Sequence, residues 1–363
     1  MTRGVAAALL ACAALLLQSV AHAEPYLAVQ NGYQCVQCHV NTTGGGMRND
    51  FGLVFAKTLL PMKPLSEKLP DWNGTVGQYL RLGADYRGSW TDTDVSGQPS
   101  QTETGTDQLR AYVQLSAWQN RVSVYLDEWL APGDATEQEF YLRVGDPASG
   151  WYAKGGKFYL PFGWRLQDST SFVRSASGIS MTTPATEGAE LGVERATWSA
   201  QLDVTAIAGN EDTDFGDQLT AQFLWHSSAT WRLGGAASLV DSDLGDRSLL
   251  GLFGGLRSGK FGWLGEADLV RDEGFATGAR TQLALLGEVN WAFSKGQNLK
   301  LTAEMLDADR DVAEDQQTRW SVVYELSPWP FVQLRLGWRN YDGIPQNPSQ
   351  NRSFTFAELH GYL

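Results

Sequence analysis

Leu109-Arg110-Ala111-Tyr112-Val113-Gln114-Leu115-Ser116-Ala117 decides the fold, because Leu109, Ala111, Val113, Leu115 and Ala117 alternate with Arg110, Tyr112, Gln114 and Ser116. A period of two puts the two sets on opposite faces of an extended strand, one apolar and the other polar and charged. Leu80, Leu82, Ala84 and Tyr86 interleave in the same way with Tyr79, Arg81, Asp85 and Arg87. So do Trp320, Val322, Tyr324 and Leu326 with Arg319, Ser321 and Glu325, and Val332, Leu334, Leu336 and Trp338 with Gln333, Arg335 and Arg339.

Carried along the chain, the alternation predicts sixteen strands, near 75–90, 108–119, 121–130, 138–145, 151–163, 187–196, 197–209, 217–226, 229–241, 247–258, 261–272, 279–292, 297–309, 316–327, 330–341 and 352–363. Tight links follow the even-numbered strands, among them Asn120-Arg121, Ser258-Gly259-Lys260, Ser294-Lys295-Gly296 and Ser327-Pro328. Longer polar connections follow odd-numbered ones, notably 91–107, 164–186 and 341–352. An even strand count with short turns at one end and long loops at the other is the layout of a transmembrane antiparallel β-barrel of the bacterial outer membrane. The short-turn end, with both ends of the barrel, is then expected in the periplasm.

Composition agrees. The 363 residues carry a net charge of −13, only 19% are charged, and Gly (39) and Trp (14) are abundant. An acidic chain lacks the Lys/Arg excess a nucleic-acid binder needs. Beyond residue 23 no apolar run approaches the roughly 18 residues of a membrane-spanning helix. A soluble β-sandwich would place the charged residues of nearly every strand in a dry core, whereas a porin lumen is wet. Trp90, Trp129, Trp151, Trp198, Trp231, Trp263, Trp291, Trp329 and Trp338 fall near strand ends, as interfacial girdles do. The final alternation ends in Leu363 rather than the aromatic residue expected of an outer-membrane insertion signal.

Residues 1–23 have a basic start at Arg3, an apolar run from Val5 to Leu17 and Ala21-His22-Ala23 before Glu24, the pattern of a cleavable export signal. The expected division is 1–23 signal, 24–70 a short N-terminal segment, and 71–363 the barrel.

The N-terminal segment contains Cys35-Val36-Gln37-Cys38-His39, the C-x-x-C-H spacing of c-type haem attachment. Two thiols reach two vinyl groups on one haem edge, and the adjacent His becomes the proximal iron ligand. A redox dithiol of the thioredoxin kind would want a βαβ context that the neighbouring residues do not give. One covalent haem c is therefore expected on Cys35, Cys38 and His39. Candidates for the distal ligand are Met47, Met62, His226 and His360, or none. Met62 is favoured, since it follows a helix expected over 48–59 and has the reach to approach the opposite face, where a thioether would raise the potential.

Pro25-Tyr26-Leu27-Ala28 and Gln30-Asn31-Gly32 before the cysteines, then Gly44-Gly45-Gly46 and Arg48-Asn49-Asp50-Phe51-Gly52 after them, resemble the haem-flanking segment of the fused monohaem c-type cytochrome–porins of iron-oxidising and other extracellular-electron-transfer bacteria. Gly156-Lys157-Phe158-Tyr159-Leu160-Pro161-Phe162-Gly163 is similar to a stretch shared with phosphate-selective-type porins. The Pro-Phe-Ala-Arg wording of the iron oxidases is only loosely matched, so the resemblance favours cytochrome–porin over iron oxidase.

The expected function is an outer-membrane electron conduit, with residues 24–70 plugging the lumen and electrons crossing through one haem. The partners implied are outer-membrane lipid, a periplasmic electron carrier (a cytochrome or cupredoxin) and an extracellular donor or acceptor such as Fe(II)/Fe(III). Inward flow would oxidise an external donor such as ferrous iron; outward flow would reduce an external acceptor. The alternative is a diffusion porin with a haem-bearing gate or redox sensor. For its lumen, Arg81, Arg110, Arg143, Arg319, Arg335 and Arg339 are opposed by Asp85, Asp127, Glu190, Glu266, Asp268, Glu288 and Glu304, which gives no ion preference. Acidic groups at Glu211, Asp212 and Asp214, at Asp241, Asp243 and Asp246, and at Asp307, Asp309, Asp311, Glu314 and Asp315 fall in expected outer loops, where they could concentrate cations such as ferrous iron; solvation or cation bridging to lipopolysaccharide is the favoured reading, and no iron site is assigned.

Overall fold

The computed structural model describes residues 24–363 apart from 65–72, 96, 181–185, 207–215, 227–228, 244 and 275–277. The expected signal, the boundary at 70/71 and the acidic group at Glu211, Asp212 and Asp214 lie outside the described residues.

Sixteen antiparallel strands close on themselves: β1 (Leu80–Val95), β2 (Gln101–Ala117), β3 (Val122–Ala131), β4 (Thr136–Asp146), β5 (Trp151–Phe158), β6 (Thr186–Glu194), β7 (Trp198–Ala206), β8 (Asp217–Trp225), β9 (Trp231–Asp241), β10 (Asp246–Ser258), β11 (Phe261–Glu273), β12 (Arg280–Ser294), β13 (Gln297–Asp307), β14 (Gln317–Leu326), β15 (Val332–Asp342) and β16 (Arg352–Tyr362). Each pairs with its sequence neighbours, and β16 closes on β1 from Arg352↔Val95 to Tyr362↔Asp85. Closure leaves no sheet edge unpaired, which an apolar bilayer demands.

Burial alternates along most of the strands as the sequence pattern requires, though not in the loop-end halves of β1 and β2. The outward set stays open, with Leu191 63%, Leu250 59% and Val204 59% exposed, while the inward set, including Asp85, Arg110, Asp127, Asp268 and Arg319, is almost fully buried. A continuous apolar exterior of this kind suits lipid and not water.

Three expectations shift. The expected first strand is broken: Thr75–Val76 folds back, with Gly74 and Gly77 at positive φ, to pair with Arg81 and Leu80, and the barrel strand begins at Leu80. The connection expected over 91–107 shrinks to 96–100, since β1 and β2 keep pairing (Thr91↔Glu103, Thr93↔Gln101) beyond Trp90, where the apolar alternation stops. The third concerns β5, which ends at Phe158, not 163. The chain then turns into the lumen, burying Phe162, Trp164, Leu166, Phe172 and Val173 instead of forming the outer loop expected over 164–186.

This inward loop carries helix α4 (Phe172–Ser177), and buried ion pairs fix it to the wall. Arg174 pairs with Glu266 and, at 3.4 Å, with Asp268. Phe172 N–H donates to Glu304 Oε2 at 2.7 Å. Asp168 lies 3.0 Å from Arg319 Nη2 and 2.8 Å from Arg339 Nη2. Charges this deep are tolerable only when paired.

At the short-turn end lie α1 (Pro25–Asn31), α2 (Cys35–Cys38) and α3 (Asp50–Thr58). Pro25 sits in the first turn of α1, where its missing N–H costs nothing, and Gly32 ends the helix in the left-handed region at φ 71°. Asn49 caps α3 by accepting from Gly52 N–H at 3.0 Å. The segment reaches the wall on several sides. Lys300 of β13 pairs with Glu24, Asn41 donates to Glu139 of β4 at 2.7 Å, and Arg232 of β9 donates to the carbonyls of Tyr33 (2.7 Å) and Ala28 (3.1 Å).

Candidate functional site

Cys35 and Cys38 are three residues apart on the single turn α2, so their side chains leave one face. Gln34 N–H donates to Gln37 Oε1 at 2.8 Å and closes the start of that turn. His39 leaves in extended conformation and bridges to Arg48, while Val40 N–H donates to Met47 O at 3.0 Å, making residues 39–48 a tight reversal. Gly44, Gly45 and Gly46 form its tip at φ 87°, 73° and 59°, where side chains are strained. A Cβ on Gly44 would lie 3.3 Å from Cys35 Cβ, so the glycines bring the returning chain against the cysteine turn.

Both thiols and His39 open onto one cavity of about 980 Å³, its solvent-open part included. Its walls come from the reversal (Thr42, Thr43, Gly44, Gly45, Arg48), from α3 (Phe55, Ala56), from the inward loop (Trp164, Arg165) and from barrel residues Gln222, Leu224, His226 and Phe253.

Electrostatics disfavour a redox dithiol. Burial pushes the Cys38 thiol up to about 11 and raises that of Cys35, although Arg48 and Arg232 respectively oppose the rise. A reactive Cys-x-x-Cys pair needs a lowered value.

The distal-ligand candidates separate cleanly. Met62, the one favoured from sequence, does not line the cavity. It is 40% exposed, and its N–H donates to Ser327 O at 2.8 Å on the turn between β14 and β15. The turn after α3 carries it onto the barrel rim rather than back over the cysteines. Met47 is buried in a cluster with Tyr112, Tyr125 and Tyr141. His360 is buried in the wall, with Gln333 Oε1 2.9 Å from its Nδ1 and Arg87 also at the ring. His226, directly after β8, lines the cavity with His39. Burial and Arg232 lower its pKa to about 4, so the imidazole is neutral at neutral pH.

Trp164 and Arg165 were not anticipated as site residues, since their stretch reads as an outer loop. The one signal in the sequence was the porin-like run ending at Pro161-Phe162-Gly163. Among the described residues no group of three or more His, Cys, Asp or Glu side chains has the arrangement of a metal site.

No protein-family model matches the chain, and no curated protein matches it in sequence. Solved structures do match in shape. An anion-selective porin from Comamonas acidovorans superposes with a TM-score of 0.60 at 10% identity, covering 78% of this chain and 98% of that one. A loop L8 deletion mutant of OmpT, an outer membrane protein of Vibrio cholerae, gives 0.58 at 9% identity, covering 79% and 100%. The high-pH structure of Pseudomonas putida OprB gives 0.55 at 8%, covering 78% and 94%. At such identities the likeness speaks to the fold: the chain is a closed sixteen-stranded antiparallel β-barrel of the porin kind.

Proposed function

We propose that the protein is an outer-membrane electron conduit, carrying one haem c attached through Cys35 and Cys38 with His39 as proximal ligand. The observation that carries this reading is the convergence of both thiols and two imidazoles, His39 and His226, on one cavity inside the short-turn mouth of the barrel. The site fits the group on a second count: His226 Nδ1 is buried with no hydrogen-bond partner among the described residues.

A bound haem iron would supply one-electron chemistry, cycling between ferric and ferrous states. The chain's own residues do the rest. The turn α2 presents the thiols, Gly44–Gly46 let the reversal pass close to them, and Trp164 and Phe253, with ring centroids 5.2 Å apart, wall off the lumenal side. The barrel is the insulating sheath, its short-turn end with both barrel termini facing the periplasm, where a small electron carrier would dock. The loop end faces outward to a donor or acceptor such as Fe(II)/Fe(III).

The second reading, a solute channel whose N-terminal segment acts as a haem-bearing gate, has its own support. The inward loop narrows the lumen beside Arg87, Arg335 and Arg339, which line a second cavity with Asp168. Reconstitution of the mature protein in liposomes enclosing an oxidised dye separates the two. Reduction of the dye by an external donor, without leakage of small solutes, supports the conduit; free leakage with an unreduced dye supports the channel.

A further inference from the structure

We infer that His226, supplied by the barrel wall, is the second axial ligand of the iron held by His39. The inference rests on the haem reading and names the residue that would complete its coordination.

Both histidines are almost fully buried, at 2% exposed for His39 and 8% for His226, and both line the cavity onto which the cysteines open. The placement of His226 is built, not incidental. Its N–H donates to Thr197 O at 2.8 Å on the turn between β6 and β7. Gln34, the residue before Cys35, donates through Nε2 to Arg195 O at 2.8 Å and Ala196 O at 2.9 Å on that same turn. One turn of the barrel therefore holds both the start of the cysteine turn and the backbone of His226. Arg232 holds the segment that leads into the cysteine turn through the carbonyls of Ala28 and Tyr33.

The buried Nδ1 of His226 makes no hydrogen bond, and no side-chain hydrogen bond or ion pair engages the ring among the described residues. A buried polar group without a partner is costly, and a metal bond to an imidazole removes that cost. The rival residues are committed elsewhere: Met47 to a tyrosine cluster, Met62 to the barrel rim, His360 to Gln333 and Arg87.

Two imidazoles leave the iron closed to small molecules, which suits electron transfer and not oxygen or peroxide chemistry. They also hold its potential below that of a thioether-ligated haem. Because one ligand comes from the plug and the other from the wall, the cofactor staples the two together.

The test uses the full mature protein, matured with haem, and its His226→Ala, His226→Met and Met62→Ala variants. Covalent haem is read from haem-stained denaturing gels, barrel folding from the heat-dependent gel shift, and ligation from ferric-state electron paramagnetic resonance and the midpoint potential. We expect a low-spin wild type, complete loss of the low-spin signal in His226→Ala with recovery on adding imidazole, a raised potential in His226→Met, and no change in Met62→Ala. A His226→Ala protein that keeps covalent haem and an unaltered low-spin spectrum overturns the assignment, as does a thioether-to-iron band abolished by Met62→Ala. A wild type with no covalent haem overturns instead the haem reading beneath it.

Discussion

Tyr26 Oη donates to Glu325 Oε2 over 2.6 Å, joining the first helix of the described chain to the fourteenth strand of the barrel. The bond belongs to a larger buried network. Glu325 also lies 3.2 Å from Lys300 and 3.4 Å from Arg335, and Lys300 pairs with Glu24. The plug is thus held electrostatically at its N-terminal end, and the network's members are unequal.

Tyr26→Phe removes one donor from a carboxylate that keeps Lys300, Arg335 and Asn298, so it should cost about 1 kcal/mol. Lys300→Ala leaves Glu24 and Glu325 buried beside each other without their shared ammonium, and should cost about 3–5 kcal/mol. Protease digestion of the folded barrel checks the ranking. The N-terminal segment of Lys300→Ala should be clipped readily, that of Tyr26→Phe scarcely faster than wild type.

Asp168 ties the inward loop to the wall. Burial alone would raise its pKa, but Arg319 and Arg339 hold the carboxyl well below the ordinary carboxylate range. A depressed folded-state pKa contributes stability that is fully present above the unfolded value, about 3.9, and is lost as pH falls below it. Single-channel conductance in planar bilayers should be flat from pH 7 to 5 and rise as acid loosens the loop. Asp168→Asn should show the open level already at pH 7, with about 2 kcal/mol lost from loop anchoring.

The double variant Cys35→Ser with Cys38→Ser should fold as a barrel, since the strand ladder does not involve either residue. It should retain no haem on a denaturing gel, and dye reduction in liposomes should fall to the level of protein-free vesicles. Unchanged dye reduction would exclude a haem route.

Gly52 sits where α3 crosses the cysteine turn, and a Cβ there would collide with the Cys38 carbonyl. Gly52→Ala should displace α3 by overpacking, at about 1–3 kcal/mol, and lower the yield of haem-loaded protein without altering barrel assembly. Gly97, by contrast, has open space around it, so Gly97→Asn should leave haem loading untouched.

Much of the barrel was legible because its sides see opposite solvents. Leu191 and Leu250 must face lipid while Glu190 and Arg319 must not, and an alternation of that kind survives in sequence wherever the strand is amphipathic. Legibility fails where the constraint disappears. Beyond Trp90 both faces of β1 and β2 are polar, so Thr91, Thr93 and Thr102 read as loop although their backbones stay paired. The inward loop fails for another reason: Phe162, Trp164 and Phe172 pack on the lumenal wall, and nothing periodic in 159–180 reports which side of the barrel it occupies. At the site, Cys35, Cys38 and His39 were local in sequence and hence readable together. His226 is brought beside them only by closure of the barrel.

The ties of the N-terminal segment to β13, β14 and β15 also impose an order in time. The stretch of chain made early finds Lys300, Glu325 and Arg335 only after the strands made late have formed, so it must wait, exposed, until the cylinder is nearly complete. On the haem reading, a group joined to Cys35 and Cys38 would be joined most readily during that interval, before the inward loop and the barrel wall close around the cavity onto which the thiols open.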